Sequence, residues 1–168
     1  MKPNNEQINL DIDSDNSGAT FSKCRNHRYL LWRKWNTSLP NIMFIGLNPS
    51  TANEYVNDPT IIRCIKFSKN WGFGSLYMVN LFSIRTPHPS DLEKKTDIVG
   101  KKNDYWILKT SKKVSKSIAC WGNYGSLNDR DLEVKKLIRN LFYLKLNKSG
   151  QPAHPLYLKS HIEPFPYK

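Results

Sequence analysis

Four short apolar runs punctuate an otherwise polar chain, and segments with helical spacing lie between them. Residues 41–45, Asn-Ile-Met-Phe-Ile, meet Gly46, the pattern of a buried strand entering a tight loop. Residues 76–82 form a second such run. Residues 117–121 form a third, running into Gly122 and Gly125, and residues 142–146 a fourth. Asp58-Pro59 has the form of an N-cap followed by proline at the first helical position. Ile61, Ile62, Ile65 and Phe67 follow, and Gly72 can stop the turn, so the spacing predicts a helix over 59–71. Residues 98–113 predict a helix with Lys101, Lys102, Lys109, Lys112 and Lys113 outward and Trp106 and Ile107 inward. Residues 129–140 predict an amphipathic helix with Leu132, Leu137 and Ile138 on one side. Upstream, residues 27–35 alternate imperfectly, which predicts a strand showing Arg28, Arg33 and Lys34 to solvent.

This order, strand and helix in alternation, is that of an α/β fold. The expected architecture is a three-layer α/β/α domain around a central four-stranded parallel sheet. In such sheets ligands bind beyond the carboxyl ends of the strands. The loops there span residues 47–57, 83–90 and 122–128, and a site is expected among them. Residues 1–20 are polar and read as a flexible acidic tail, or at most a short edge strand. Residues 21–168 make one domain, as a chain of 168 residues allows.

Charge changes the picture more than length does. Residues 1–20 carry a net charge of −3, so the rest carries +15 of the formal +12 total. A folded part this basic points to a polyanion, most often nucleic acid. Five Trp, eight Tyr and seven Phe supply rings that build a core or stack on extruded bases. No apolar run reaches the length of a membrane span, and no signal-peptide pattern opens the chain. Cys24, Cys64 and Cys120 are dispersed and odd in number, which suits a reducing, cytoplasmic setting and neither a disulfide framework nor an iron–sulfur cluster. No metal or cofactor is expected.

Several motifs stand at the expected loops. Gly46-Leu47-Asn48-Pro49-Ser50 follows the first strand; alone it is weak, because Asn-Pro commonly starts turns. Asn80 is the polar residue inside the second apolar run, the third run ends in Trp121-Gly122, and His154-Pro155-Leu156-Tyr157-Leu158 comes late. In this order they resemble the motifs of the uracil-DNA glycosylase superfamily. From about Tyr29 to Leu158 the chain also resembles an uncharacterised bacterial and phage domain family. The segments that carry this are 47–52, 58–64, 71–72, 79–82, Arg85, 121–122 and 154–158.

The glycosylase resemblance implies a monofunctional DNA glycosylase, a monomer that flips a nucleotide out of single- or double-stranded DNA and releases its base. Asn48 would orient the attacking water, with Asn57 or Asp58 as possible helpers, and His154 would donate to the anionic base. Asn80 would read the Watson–Crick edge in a pocket formed with Gly46, Leu47 and Pro49. Ser50 stands where strict uracil enzymes carry a tyrosine that blocks a C5 methyl, which implies room for C5-modified pyrimidines unless Tyr55 or Phe82 fills the space. Leu158 would wedge into the base stack, Tyr157, Arg63 and Arg85 would contact DNA, and lysines of 101–116 would make the rim basic. Repair, or defence against phages with modified DNA, are the settings this implies. The alternatives are a catalytically weak nucleic-acid-binding module and an enzyme of free nucleotides.

Overall fold

The computed structural model describes residues 16–168. Ten elements follow one another: β1 (Ser17–Phe21), β2 (Arg28–Lys34), β3 (Asn41–Gly46), α1 (Pro59–Asn70), β4 (Ser75–Asn80), α2 (Asn103–Ser111), β5 (Lys116–Ala119), α3 (Arg130–Leu137), β6 (Leu141–Tyr143) and β7 (Phe165–Pro166). The sheet is mixed and has seven strands, in the order β1-β2-β4-β3-β5-β6-β7. β4, β3, β5 and β6 run parallel. β1 and β2 extend one edge antiparallel, and β7 the other. The expected four-stranded parallel sheet is therefore corrected: three further strands join it.

β3 is central, and Ile42, Met43, Phe44 and Ile45 are all fully buried. Because side chains alternate across a strand, Ile42 and Phe44 enter one core and Met43 and Ile45 the other. Ile61, Cys64, Ile65 and Phe67 of α1 fill the first core. Ile107 of α2 and Val134 of α3 fill the second. Helices thus cover both faces of the sheet. No helix among the described residues is long and apolar enough to cross a membrane.

Asp58 caps α1 by accepting from the Ile61 amide at 2.9 Å, with Pro59 behind it. α2 is shorter than the spacing predicts: Gly100 has φ +82°, and the helix begins only at Asn103. α3 stops at Leu137, with Ile138 already extended. Its buried residues are Arg130, Asp131 and Val134, while Leu132 is exposed. Arg130 turns that face inward by donating Nε to the Leu81 carbonyl and pairing with Asp104 and Glu133. β1 occupies residues read as the end of a tail, so the edge-strand alternative describes 17–20. The expectation for residues 1–15 lies outside the described residues.

The larger correction concerns β2. Arg28 and Arg33 are buried, not turned to solvent. Arg33 donates from Nε to Asn57 Oδ1 (2.8 Å) and from Nη1 to the carbonyls of Trp32 and Gly18. Its Nη2 reaches those of Asn53 and Val56. A buried guanidinium is tolerated when its donors are met this fully. It pins the loop between β3 and α1 to the sheet. We expect Arg33→Met to lower the unfolding free energy by about 2–4 kcal/mol, because several buried acceptors lose their donor at once. Urea unfolding followed by circular dichroism measures this, and a change under 1 kcal/mol would contradict the role (roughly the scale of an ordinary surface substitution).

Candidate functional site

β4, β3 and β5 end side by side, and their carboxyl ends open into a cleft of about 440 Å³. That volume lies within the roughly 300–1,000 Å³ of small-ligand sites. All three expected loops contribute to it: Leu47, Asn48 and Ser50 from the first, Thr86, Pro87 and Pro89 from the second, Gly122, Asn123 and Tyr124 from the third. The start of α1 adds Asp58, Thr60 and Ile61, and the C-terminal stretch closes the cleft with His154, Leu156 and Tyr157.

Asn80 ends β4 directly opposite Gly46 of β3. A Cβ on Gly46 would fall 2.8 Å from Asn80 Oδ1, so only glycine lets the amide lie across the end of β3. Asn103 holds this strand end in place, donating Nδ2 at 2.9 Å to the carbonyls of Asn80 and Leu81. The Asn80 amide is 3 % exposed, lines the cleft, and its Nδ2 has no partner. A buried donor left open is costly, and here it faces the cleft, where an acceptor on a bound molecule could meet it.

Asn48 donates Nδ2 to the carbonyls of Pro49 (3.0 Å) and Thr86 (2.8 Å). These bonds fix its rotamer and join the first loop to the second. Both amide protons point into protein, which leaves the acceptor Oδ1 for a ligand.

His154 accepts at Nδ1 from the Leu156 amide at 3.4 Å. An accepting Nδ1 carries no proton, so the neutral ring is protonated at Nε2. Burial pushes the imidazole below its ordinary 6.5, against the opposing pull of Asp58. At neutral pH the ring is therefore an uncharged Nε2–H donor. Asp58 is the single acid among the residues lining the cleft, and its field also favours the charged forms of Arg28 and Arg33.

The cleft thus brings together Gly46, Leu47, Asn48, Ser50, Asn80, His154 and Tyr157 of the residues expected there. Others lie elsewhere. Pro49 is buried and presents only its carbonyl to Asn48 and Thr86. Phe82 is fully buried in the second core. Tyr55 is exposed and outside the cleft lining. Leu158 is only 9 % exposed and packs in the first core, so it has no free face to wedge into a base stack. Arg63 donates to the Leu158 carbonyl and lies over the Phe67 ring. Arg85 donates to the Arg25 carbonyl and lies over Phe21. Nor do the lysines of 101–116 line the cleft: Lys101 and Lys102 flank a separate depression beside Cys24 and His27, and Lys109 and Lys113 another beside Trp32 and Tyr77.

Arg28 is the cleft residue that sequence reading placed in solvent. β2 runs antiparallel to β4, with Leu31 opposite Met78, so its first residue reaches the carboxyl end of β4. Nothing in the alternation of residues 27–35 reports that pairing. Trp121 and Tyr124 also line the cleft, and their place beside Gly122 was the available signal.

An α/β protein with a largely apolar cleft at its parallel strand ends, set with a few polar side chains, is the class these features define. Within that class the chain belongs to the DUF1643 family, described as proteins of unknown function, with a match over residues 28–156. No curated protein and no solved structure matches it.

His154 should titrate below 6.5 as the neutral Nε2–H tautomer. On acidification the unfolded chain takes up this proton first, so stability falls as the pH drops below 6.5. Nitrogen-15 NMR of the imidazole across pH 4–8 checks both statements. A midpoint above 6.5, or an Nδ1–H tautomer at neutral pH, would contradict them.

Proposed function

We propose that this protein is a monofunctional DNA glycosylase acting on a C5-modified pyrimidine held extrahelically in the cleft. The observation that carries this reading is the buried, unpartnered Asn80 Nδ2 in a cleft shared with Asn48 and His154. An open amide reads the edge of a planar heterocycle, whose acceptors satisfy it. The resemblance to the uracil-DNA glycosylase superfamily assigns the same three residues to one pocket. The +15 charge of residues 21–168 supports a polyanionic substrate.

In this reading water attacks C1′, the C1′–N1 bond breaks, and its electron pair leaves with the base. Asn48 Oδ1 accepts a hydrogen bond from the water and aims it. Asp58 is the lining carboxylate available to take the water's proton and to face the positive charge that develops on the sugar. His154 Nε2–H donates to the base oxygen on which negative charge accumulates. Ser50 leaves space beside C5. Leu156 and Tyr157, both exposed at the cleft, take over from Leu158 the task of filling the gap in the base stack. Repair and defence against modified phage DNA both use this chemistry.

Single-turnover release of base from duplexes containing uracil, thymine or C5-glucosylated pyrimidine tests the reading. We expect Asn48→Ala and His154→Ala each to slow release by about 10²–10³-fold while DNA binding persists, because both groups act mainly as charge develops. Unchanged rates in both variants, or no abasic product on any substrate, would refute the glycosylase reading. Ser50→Tyr should suppress release of the C5-substituted bases more than that of uracil. Equal effects on all three would remove the C5 pocket and leave the enzyme class standing.

A further inference from the structure

The described residues include three deeply buried arginines: Arg28, Arg33 and Arg130. In two of them every guanidinium nitrogen has a partner. Arg33 reaches five protein acceptors, and Arg130 pairs with two carboxylates and a carbonyl. Arg28 differs. Its guanidinium makes one hydrogen bond, from Nη1 to the Ala52 carbonyl at 2.9 Å. Its Nε is buried without a partner, and no carboxylate of the described residues stands within ion-pairing distance. It is also the one of the three that lines the cleft.

A protonated guanidinium removed from water needs an anion or a full set of acceptors. Burial holds Arg28 down to about 10, so it remains charged at neutral pH. Asp58 acts on it only through space. The planar fork of a guanidinium matches an oxyanion through two parallel N–H donors.

We propose that Arg28 forms an oxyanion-binding subsite in the cleft and that the natural ligand carries a carboxylate or phosphate that reaches it. Its position suggests the source. Arg28 is tied to Ala52, two residues beyond Ser50, on the first-loop side of the cleft. Resting on the glycosylase reading, in which Ser50 marks the C5 side of the base, the oxyanion is an acidic substituent at C5. Without that reading the subsite remains, and a nucleotide phosphate is the other source of the same chemistry.

Isothermal titration of the full chain with 5-carboxyuracil, thymine, uracil, deoxyuridine monophosphate, deoxyuridine and inorganic phosphate tests this. We expect 5-carboxyuracil to bind about 10–100-fold more tightly than thymine, the range of a charged hydrogen-bond pair. Arg28→Gln should abolish that difference. Arg28→Lys keeps the charge but lacks the Nε donor, and should lose most of the preference. A preference for the monophosphate over its nucleoside that depends on Arg28, with none for 5-carboxyuracil, would support the subsite and assign it to phosphate. If wild type discriminates neither pair, or if both variants keep the preference, the subsite is refuted. A wild type that discriminates neither pair refutes the subsite whether or not a variant folds. Base release from DNA reports separately: release without oxyanion preference overturns the subsite alone, and oxyanion preference without release overturns the glycosylase reading alone.

Discussion

The pairing of β3 between β4 and β5 is the constraint on which the rest of this molecule depends. A strand hydrogen-bonded on both sides and covered on both faces must be apolar throughout, and Ile42–Ile45 meets that demand. Parallel pairing also brings the three strand ends to one edge. Every loop that leaves that edge must start near the others, and the cleft is the space they enclose. The Gly46–Asn80 contact follows directly, because Gly46 and Asn80 are register partners where both strands terminate.

Two buried arginines on one strand show how burial and function separate. Arg33 lies against a loop whose carbonyls converge on it, and the result is a structural bolt. Arg28 lies at the strand's other end, where the chain provides one acceptor and an open cleft. The chemistry of the side chain is identical. The difference is made by how many acceptors the surrounding backbone supplies. Asp58 shows the same division inside one residue. One carboxylate oxygen caps α1, and the carboxylate as a whole is the negative charge of the cleft.

The cleft has a polarity of its own that the net charge of the chain does not predict. Its lining holds one arginine, one acid and one neutral imidazole, and no lysine. Lys101 and Lys102 lie at one separate depression and Lys109 and Lys113 at another, with Lys109 against the rings of Trp106 and Tyr105. Net charge governs long-range attraction of a partner, whereas the cleft's few fixed donors govern what is held there.

Local pattern was sufficient for the parallel core and for α1. Apolar runs bounded by glycine and an Asp-Pro cap are short-range signals, complete within a few residues. The position of Asn48 and Asn80 at one cleft was also legible, since strand ends in a parallel sheet share an edge, whereas His154 was placed there by the motif resemblance alone. Residues whose role depends on a distant partner were not legible. Leu158 sits in the motif of a wedge, but contacts made by α1 bury it. Arg28 and Arg33 alternate like surface residues, yet their burial is decided by β1, β4 and the loop before α1. The sequence by itself determined the four parallel strands, β2 and the approximate places of the three helices, because backbone preference and hydrophobic period act within a turn or two; β7, two residues paired at the sheet edge, had no such local signal. Only the tertiary structure decided which polar groups find acceptors and which remain open, because hydrogen-bond satisfaction depends on atoms brought together from across the chain.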